Sequence, residues 1–317
     1  MSSAASLASR FIGEAELNKR FPVLVRLPNG KMQLPNAAAN FLFSLCRNQT
    51  ALLVIPIEGG LAITLLPPKR ITTGEHMTIT NKTVLVTGAN RGIGKALVEE
   101  ALRRGAKRVY AGTRAGLTIA DERVIPLPLD VTNAAQIQQA SNEVETLDVL
   151  INNAGIALYD DLSNPGAIEQ ALAVNLFGTF NVTRAFLRLL RRSKGSIVNN
   201  LSLMALAPLP LTPSYAISKA AALNMTQSLR AILAGQGVNV HGVFLGPVDT
   251  DMTRGFEAPK ASPESVARGI FDGLENGEED IFPDPMSRSI AEGWRTGVAK
   301  AFERQYAGFV PPVSVAA

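Results

Sequence analysis

Residues 83–94 read TVLVTGANRGIG, where a short β-branched run passes directly into a loop with three glycines. The run 83–87 lacks polar alternation, which is typical of a strand buried on both faces of a parallel sheet. Gly92 and Gly94 then open a helical pattern, GKALVEEALRR. Glycines there let backbone amides approach a phosphate, whose charge the N-terminus of a helix stabilises. The stretch indicates a strand, a phosphate-binding turn and a helix, although such a turn by itself is as often purely structural.

Two other phosphate-binding patterns do not fit this loop. A Walker-type loop has four residues between its glycines, followed by Lys and then Ser or Thr. Here five residues separate Gly88 from Gly94, and Lys95 is followed by Ala96. The GxGxxG fingerprint also fails, because the GIG of this loop continues into KAL.

Short apolar runs alternate with longer patterns of helical period from Lys82 onward. The predicted strands are 83–87, 108–112, 124–128, 148–152, 196–201 and 238–245. This alternation predicts an α/β fold, a doubly wound parallel sheet (Rossmann-like) with its ligand at the carboxyl ends of the strands. Only the ten residues 114–123 separate the second and third strands. We therefore expect the helix of that connection to be reduced to a turn.

A breaker-rich segment from Pro67-Pro68 to His76 predicts a domain boundary. We expect an N-terminal extension over residues 1–76, either small and β-rich or poorly ordered, and a doubly wound domain over 77–317. Within the extension, ALLVIPI and LAITLL predict two strands joined by a Glu-Gly-Gly turn. The same apolar stretch is interrupted by Pro56 and Glu58, so it predicts no membrane span.

Composition excludes several classes of function. The single cysteine, Cys46, permits neither an internal disulfide nor a four-cysteine zinc site, and it favours a reducing, cytoplasmic setting. With only two histidines, His76 and His241, the chain lacks the imidazole groups of an HExxH protease. The pair Asp160-Asp161 is better explained as solvated loop charge than as a metal site, so we expect no bound metal.

The net charge of +4 lies entirely in residues 1–76, which hold eight Lys or Arg and four Asp or Glu. Residues 77–317 hold 23 of each kind. The excess cations are spread along the extension and do not form a cluster interleaved with aromatic residues. The sequence therefore argues against a nucleic-acid partner.

Five motifs follow one another along the chain: TGxxxGxG (Thr87 to Gly94), NNAG (Asn152 to Gly155), Asn175 in VNLFG, Ser202, and YxxxK from Tyr215 to Lys219. Their order and spacing resemble those of the short-chain dehydrogenase/reductase family, in its compact branch. The resemblance covers roughly residues 80–285, and residues 1–76 resemble nothing in that family. It implies an oxidoreductase that interconverts a carbonyl and a secondary alcohol. It also implies a homodimer or homotetramer assembled through the long helices, acting on a small-molecule substrate.

The resemblance implies a catalytic tetrad and a cofactor site. The tetrad would be Asn175, Ser202, Tyr215 and Lys219. Cofactor contacts would come from Gly88, Asn90, Arg91, Gly92, Ile93, Gly94, Asp130, Val131, Asn153, Ala154, Gly155, Tyr215, Lys219, Val248 and Thr250. The chain departs from the family pattern at Leu245, where a proline is usual, which puts the rigidity of the following loop in doubt. Residues 251–263 would form the mobile substrate lid of the family.

Charge favours NADP(H) over NAD(H) as the cofactor. The second strand ends in Gly112-Thr113-Arg114 and carries no carboxylate to bind the ribose 2′-hydroxyl of NAD. Arg114 and Arg91 could together bind a 2′-phosphate, which charge-assisted hydrogen bonds would favour. The alternative is that Arg114 is an ordinary solvated charge at the end of a strand.

Tyr215 and Lys219 are four residues apart, so they share one face of a predicted helix. A free tyrosine has a pKa of about 10, which is too high for an efficient base at neutral pH. We expect the lysine ammonium and a positive nicotinamide to lower it. By resemblance, Ser202 would bind the substrate oxygen and Asn175 would anchor a water that links Lys219 to solvent. A non-catalytic NADP-binding sensor or scaffold on the same fold is the alternative, because fold alone does not determine function.

Overall fold

The structure is a computed structural model, which describes residues 77–117 and 119–310 and the backbone of four short strands before them. The four strands are β1 (Val25–Arg26), β2 (Met32–Gln33), β3 (Leu52–Ile57) and β4 (Gly60–Leu65). They belong to one unit, Met1–Glu75, and all later elements belong to a second, His76–Ala317. β3 and β4 pair antiparallel, which confirms the two strands predicted within residues 51–66. Cys46 and His76, which the composition argument used, lie outside the residues that the structure describes.

The second unit contains a seven-stranded sheet. Its strands are β5 (Thr83–Thr87), β6 (Arg108–Thr113), β7 (Val124–Pro128), β8 (Val149–Asn152), β9 (Ser196–Asn200), β10 (Asn239–Val243) and β11 (Asp280–Ile281). The order in the sheet is β11-β10-β9-β8-β5-β6-β7, and every pairing is parallel. The first strand of this sheet, β5, is therefore central. Strands β6 and β7 follow on one side of it, and strands β8 to β11 then form the other side. The doubly wound fold is confirmed, with its switch point between β5 and β8.

Helices cover both faces of the sheet. They are α1 (Gly92–Arg103), α2 (Ala134–Glu143), α3 (Pro165–Leu172), α4 (Thr179–Ser193), α5 (Pro213–Ala234), α6 (Pro263–Glu275), α7 (Pro285–Thr296) and α8 (Val298–Tyr306). A π-helical turn, Ala173–Gly178, joins α3 to α4. None of the helices in the described part of the chain is both long and apolar enough to cross a membrane.

Two large hydrophobic clusters lie one on each side of the sheet, and a third, smaller cluster includes Phe244 and Phe282. Val84 and Val86 of β5 pack with residues of α1 and α6, whereas Leu85 packs with residues of α2, α4 and α5. Successive side chains of a strand point to opposite faces, and β5 is apolar on both. This explains why the sequence of β5 shows no polar alternation.

The connection between β6 and β7 contains no helix in its described residues, 114–117 and 119–123, as its length predicted. A turn at Asp121 replaces it, in which the Val124 amide donates to the Asp121 carbonyl at 2.9 Å. The Arg123 guanidinium donates to the Leu102 carbonyl of α1 at 3.2 Å, which holds the connection against that helix. Strand β11 and helices α6, α7 and α8 were not predicted.

Candidate active site

Helix α5 begins two residues before Tyr215 and carries Lys219 in the following turn. Pro213 occupies its first position, where a missing backbone N–H costs nothing and φ is already helical. The hydroxyl of Ser214 donates to Asp160 Oδ1 at 2.8 Å, so a carboxylate lies at the positive end of the helix. Lys219 Nζ lies 5.6 Å from the centre of the Tyr215 ring, on the shared face.

Ser202 follows the end of β9 and brings its hydroxyl to that of Tyr215. Its Oγ accepts from the Met204 amide at 3.1 Å, which starts a short 3-10 turn, and the side chain also hydrogen-bonds Tyr215. Burial raises the pKa of Tyr215 to about 12, and the hydrogen bond from Ser202 only partly offsets it. The lowering of this pKa that we expected is therefore not produced by the side chains alone. Tyr215 is protonated at neutral pH in this structure.

Lys219 is buried beneath Tyr215. Its Nζ donates to the main-chain carbonyl of Asn200 at 2.7 Å, at the end of β9. Burial disfavours the ammonium form and lowers the pKa of Lys219 to about 8. The lysine is therefore close to its titration point near neutral pH, which suits a group that relays protons.

Asn175 lies in the π-helical turn and joins the segment after NNAG to α5. Its Nδ2 donates to the Ile156 carbonyl at 2.9 Å and to Ser218 Oγ at 2.8 Å, and its Oδ1 accepts from the Ile156 amide at 2.9 Å. Turns of this kind inside helices frequently mark functional positions. These contacts show that Asn175 connects the segment at Ile156 to helix α5. Its role in holding a water stays a prediction.

The glycine-rich loop has the shape that a dinucleotide phosphate needs. Gly88 and Gly92 have φ of +67° and +51°, in the left-handed region that favours glycine. A Cβ on Gly94 would lie 2.0 Å from the Gly88 carbonyl oxygen, so no larger residue fits. The following helix α1 has no side-chain cap and no acidic residue in its first turn, which leaves its first amides available to an anion.

Asn153 and Thr87 close this loop against the neighbouring strand. Asn153 Nδ2 donates to the carbonyls of Thr87 and Gly88 at 2.9 and 3.3 Å. Thr87 Oγ1 accepts from the amides of Asn153 and Ala154 at 2.9 and 3.0 Å. The carboxyl ends of β5 and β8 are thereby held together at the switch point.

Gly155 lies close to two members of the predicted tetrad. A Cβ there would lie 3.1 Å from Asn175 Oδ1 and 3.7 Å from Lys219 Nζ. Among the remaining predicted contacts, Asn90 and Ile93 are half-buried in the glycine-rich loop, and Val131 is buried after β7.

Arg91 and Arg114 each face a carboxylate. Arg91 Nη1 lies 3.1 Å from Asp251 Oδ2, and Arg114 Nη1 lies 4.0 Å from Asp130 Oδ2. Both arginine side chains are largely exposed, at 69% and 70%, so these pairs are weak and the guanidinium groups can reorient. The predicted joint binding of one phosphate by the two arginines therefore requires both to leave their present partners.

The loop after β10 crosses the glycine-rich loop. Thr250 Cγ2 lies 3.0 Å from the position of a Cβ on Gly92. The buried Val248 pairs in a β-bridge with Ala261, at the far end of the predicted lid. The lid residues 251–263 begin with a 3-10 turn, Asp251–Thr253, and their mobility stays a prediction.

Asp284 holds the backbone that directly follows Leu245, and the rigidity of the loop beyond it stays a prediction. Its Oδ2 accepts from the Gly246 amide at 2.9 Å, and its Oδ1 would lie 2.7 Å from a Cβ on Gly246. Leu245 itself is buried in the core. Asp284 also caps α7, and such a cap is a signal that the sequence analysis could have used.

Asp160 is also not the free loop charge that the sequence suggested, because it caps α5. The described residues contain no cluster of His, Cys, Asp or Glu that could hold a metal ion.

Comparisons with known proteins agree with this geometry. A sequence model for the family described as short chain dehydrogenase matches residues 82–261. The chain is 32% identical over 239 residues to a ketoacyl reductase, HetN, of Nostoc sp., covering 68% of this chain and 83% of that protein. It is 34% identical over 206 residues to 2-(S)-hydroxypropyl-CoM dehydrogenase 3 of Xanthobacter autotrophicus, covering 60% and 81%.

A solved structure has a similar fold. It is a short chain dehydrogenase from Burkholderia cenocepacia J2315 in complex with NADP, with a TM-score of 0.65 and 38% identity. The match covers 72% of this chain and 99% of that one. Because the family's sequence pattern extends over more than half of the chain and the fold is the same, this protein belongs to the short-chain dehydrogenase/reductase family.

Proposed function

We propose that this chain is an NADP(H)-dependent oxidoreductase that interconverts a carbonyl group and a secondary alcohol, with Tyr215 as general acid and base. The observation that carries the proposal is the contact of Tyr215 with both Ser202 and Lys219, beside the glycine-rich loop at the switch point. The relatives named a reductase and a dehydrogenase support the reaction class. The NADP complex of the Burkholderia protein supports the choice of cofactor.

The chain offers suitable groups for each part of the cofactor. Gly88, Gly92 and the uncapped start of α1 would hold the phosphates, and Arg91 and Arg114 would bind the 2′-phosphate. The bound nicotinamide would supply or accept the hydride.

In the reductive direction Tyr215 would act as the acid. A tyrosine hydroxyl is already protonated at neutral pH at its ordinary pKa of about 10, and burial raises the pKa of Tyr215 further, to about 12. The hydroxyl donates its proton to the substrate oxygen while the carbonyl carbon accepts the hydride. Ser202 hydrogen-bonds the same oxygen and positions it. The phenolate that remains is stabilised by the Lys219 ammonium, which then helps to return a proton.

A substitution at Tyr215 tests this role. The change Tyr215→Phe removes the proton donor and little volume, so we expect turnover to fall by about a hundredfold or more, the usual contribution of a general acid. NADPH binding should stay nearly unchanged. The assay follows NADPH absorbance with a panel of ketones and aldehydes, because the sequence and the site do not specify the substrate.

Tyr110→Phe is the matched control, since Tyr110 lies buried in β6 outside the site. It should leave turnover unchanged. Turnover that persists in Tyr215→Phe contradicts the mechanism. NADPH binding by the wild type without reduction of any carbonyl would instead favour a sensor or scaffold.

A further inference from the structure

Strand β9 ends in two adjacent asparagines whose side chains point to opposite faces of the sheet. Asn199 faces α4 and α5, and both ends of its amide are satisfied. Its Oδ1 accepts from Asn152 Nδ2 at 2.8 Å, and its Nδ2 donates to Thr226 Oγ1 at 3.0 Å. Asn200 faces the site, and its Nδ2 donates to Asn153 Oδ1 at 2.8 Å.

The orientation of the Asn200 amide follows from its neighbour. Asn153 uses its Nδ2 to donate to the carbonyls of Thr87 and Gly88. Its Oδ1 must therefore be the atom that faces Asn200, and Asn200 must present a donor to it. The Oδ1 of Asn200 then points away, where it is buried and has no hydrogen-bond partner among the residues described.

A buried carbonyl without a partner costs free energy, and an apolar side chain of similar size would avoid that cost. Asn200 itself is only 7% exposed. An apolar residue, however, could not donate a hydrogen bond to Asn153 Oδ1. Among the residues that the structure describes, the hydrogen bond to Asn153 is therefore the contact of this side chain that offsets the cost.

Asn200 lies between the two halves of the site. Its side chain contacts the residue that closes the glycine-rich loop, and its main-chain carbonyl accepts the bond from Lys219 Nζ. Substitution of the side chain leaves the second contact in place, because that contact is made by the backbone. The two roles can therefore be separated by experiment.

We propose that Asn200 is a positioning residue for the cofactor: it holds the amide of Asn153 in the orientation that keeps Thr87 and Gly88 in place. The inference rests on the proposed NADP(H) dependence. It assigns to Asn200 an effect on cofactor affinity, and none on the proton transfer at Tyr215.

The test compares Asn200→Leu with Asn199→Leu in the full chain. The two residues are adjacent, of the same type and both buried, at 1% and 7% exposure, so Asn199→Leu is a matched control. Thermal unfolding gives Tm, titration of protein fluorescence with NADPH gives Kd, and steady-state kinetics give kcat and KM.

For Asn200→Leu we expect Kd and KM for NADPH to rise about five- to tenfold, roughly the contribution of one hydrogen bond. Tm should be unchanged or higher, because an unpaired buried carbonyl is removed. The value of kcat at saturating NADPH and its pH profile should be unchanged. Asn199→Leu should lower Tm, because it removes the hydrogen bonds that Asn199 makes to Asn152 and Thr226, and should leave Kd unchanged.

A second variant guards against misfolding of the first. Asn200→Asp keeps the shape of the side chain but turns an acceptor toward Asn153 Oδ1, so it should also raise Kd for NADPH. An unchanged Kd in Asn200→Leu and Asn200→Asp, with tight binding by the wild type, overturns this inference and leaves the proposed function intact. An equal rise of Kd in Asn199→Leu also overturns it, because a general loosening would then explain the effect. A wild-type chain that does not bind NADPH overturns the proposed function and this inference together.

Discussion

His241 is a buried histidine that stays neutral in the folded chain. It lies in β10 and is 4% exposed, and its Nδ1 is 2.6 Å from the Glu278 carbonyl oxygen. Since a carbonyl only accepts, Nδ1 carries the hydrogen, and Nε2 has no partner in the described part of the chain. Burial lowers the pKa of His241 to about 4, and the positive charge of Arg230 acts in the same direction.

This lowered pKa predicts a loss of stability in mild acid. An unfolded histidine has a pKa of about 6.5, so between about pH 6.5 and 4 the unfolded chain binds a proton that the folded chain does not. The free energy of unfolding should therefore fall as the pH falls through that window, by on the order of 3 kcal/mol in all. Urea unfolding at pH 7.5 and 4.5 measures it.

The variant His241→Asn keeps a donor for the Glu278 carbonyl and removes the titrating group. It should lose less stability than the wild type between the two pH values. An equal loss in both proteins would show that other groups, such as the carboxylate of Asp280, cause the acid sensitivity.

A substitution at Arg114 tests the choice between NADP(H) and NAD(H). Arg114→Asp removes a cation and adds an acceptor for a ribose hydroxyl, so NADPH should bind about ten- to a hundredfold more weakly relative to NADH. Arg108→Asp, at the opposite end of β6, is the control and should leave the ratio of the two Kd values unchanged. A wild-type chain that binds NADH as tightly as NADPH refutes the argument from Arg91 and Arg114.

Helix α8 has Lys300 and Glu303 on its buried side. Lys300 Nζ lies 2.7 Å from Asp280 Oδ2 of β11 and 2.9 Å from Glu303 Oε2, and its side chain is 2% exposed. Arg230 of α5 pairs with Asp280 and Glu303 as well. The opposite side of the helix exposes the apolar side chains of Val298, Phe302 and Tyr306. Charge pairing, more than hydrophobic burial, therefore fixes how α8 packs.

Removing Lys300 should destabilise the protein. In Lys300→Met the carboxylates of Asp280 and Glu303 stay buried with one cation less, and breaking such a group costs about 3–5 kcal/mol. Lys107→Met, on an exposed residue, should change the free energy of unfolding by less than about 0.5 kcal/mol. Urea unfolding of both variants near neutral pH measures the difference. A Lys300→Met protein as stable as the Lys107→Met control would mean that the ion pairs do not hold α8.

The N-terminal extension, residues 1–76, lies before both the family match and the candidate active site. The family match begins at residue 82, and every described side chain of the tetrad and the cofactor site lies after Met77. We predict that a chain starting at Met77 folds and keeps its kcat/KM. A tenfold drop, about 1.4 kcal/mol of transition-state stabilisation, would show that residues 1–76 belong to the active enzyme.

Sedimentation of the same truncated chain measures its assembly. Phe177, Phe180 and Ile217, on the π-helical turn and helices α4 and α5, are exposed in the single chain. These apolar side chains support the predicted dimer or tetramer through the long helices.

The order of strands and helices could be predicted because it depends on local periodicity. The six predicted strands all occur, and the run 83–87 matches β5 residue for residue. β11 has only two residues, too few to show a pattern, and it pairs because β10 is already in place. The motifs likewise identified the family, because their spacing along the chain is a property of the sequence.

Only the tertiary structure decided the environment of each functional side chain. The pKa of Tyr215 rises because burial outweighs its neighbours, and burial depends on everything packed around it. Arg91 pairs with Asp251, Asn200 with Asn153 and Lys300 with Asp280, each in a different element of the fold. A pattern in the sequence shows which groups are present at which spacing. Distances and dielectric surroundings, which set the energies of these groups, exist only once the chain has folded.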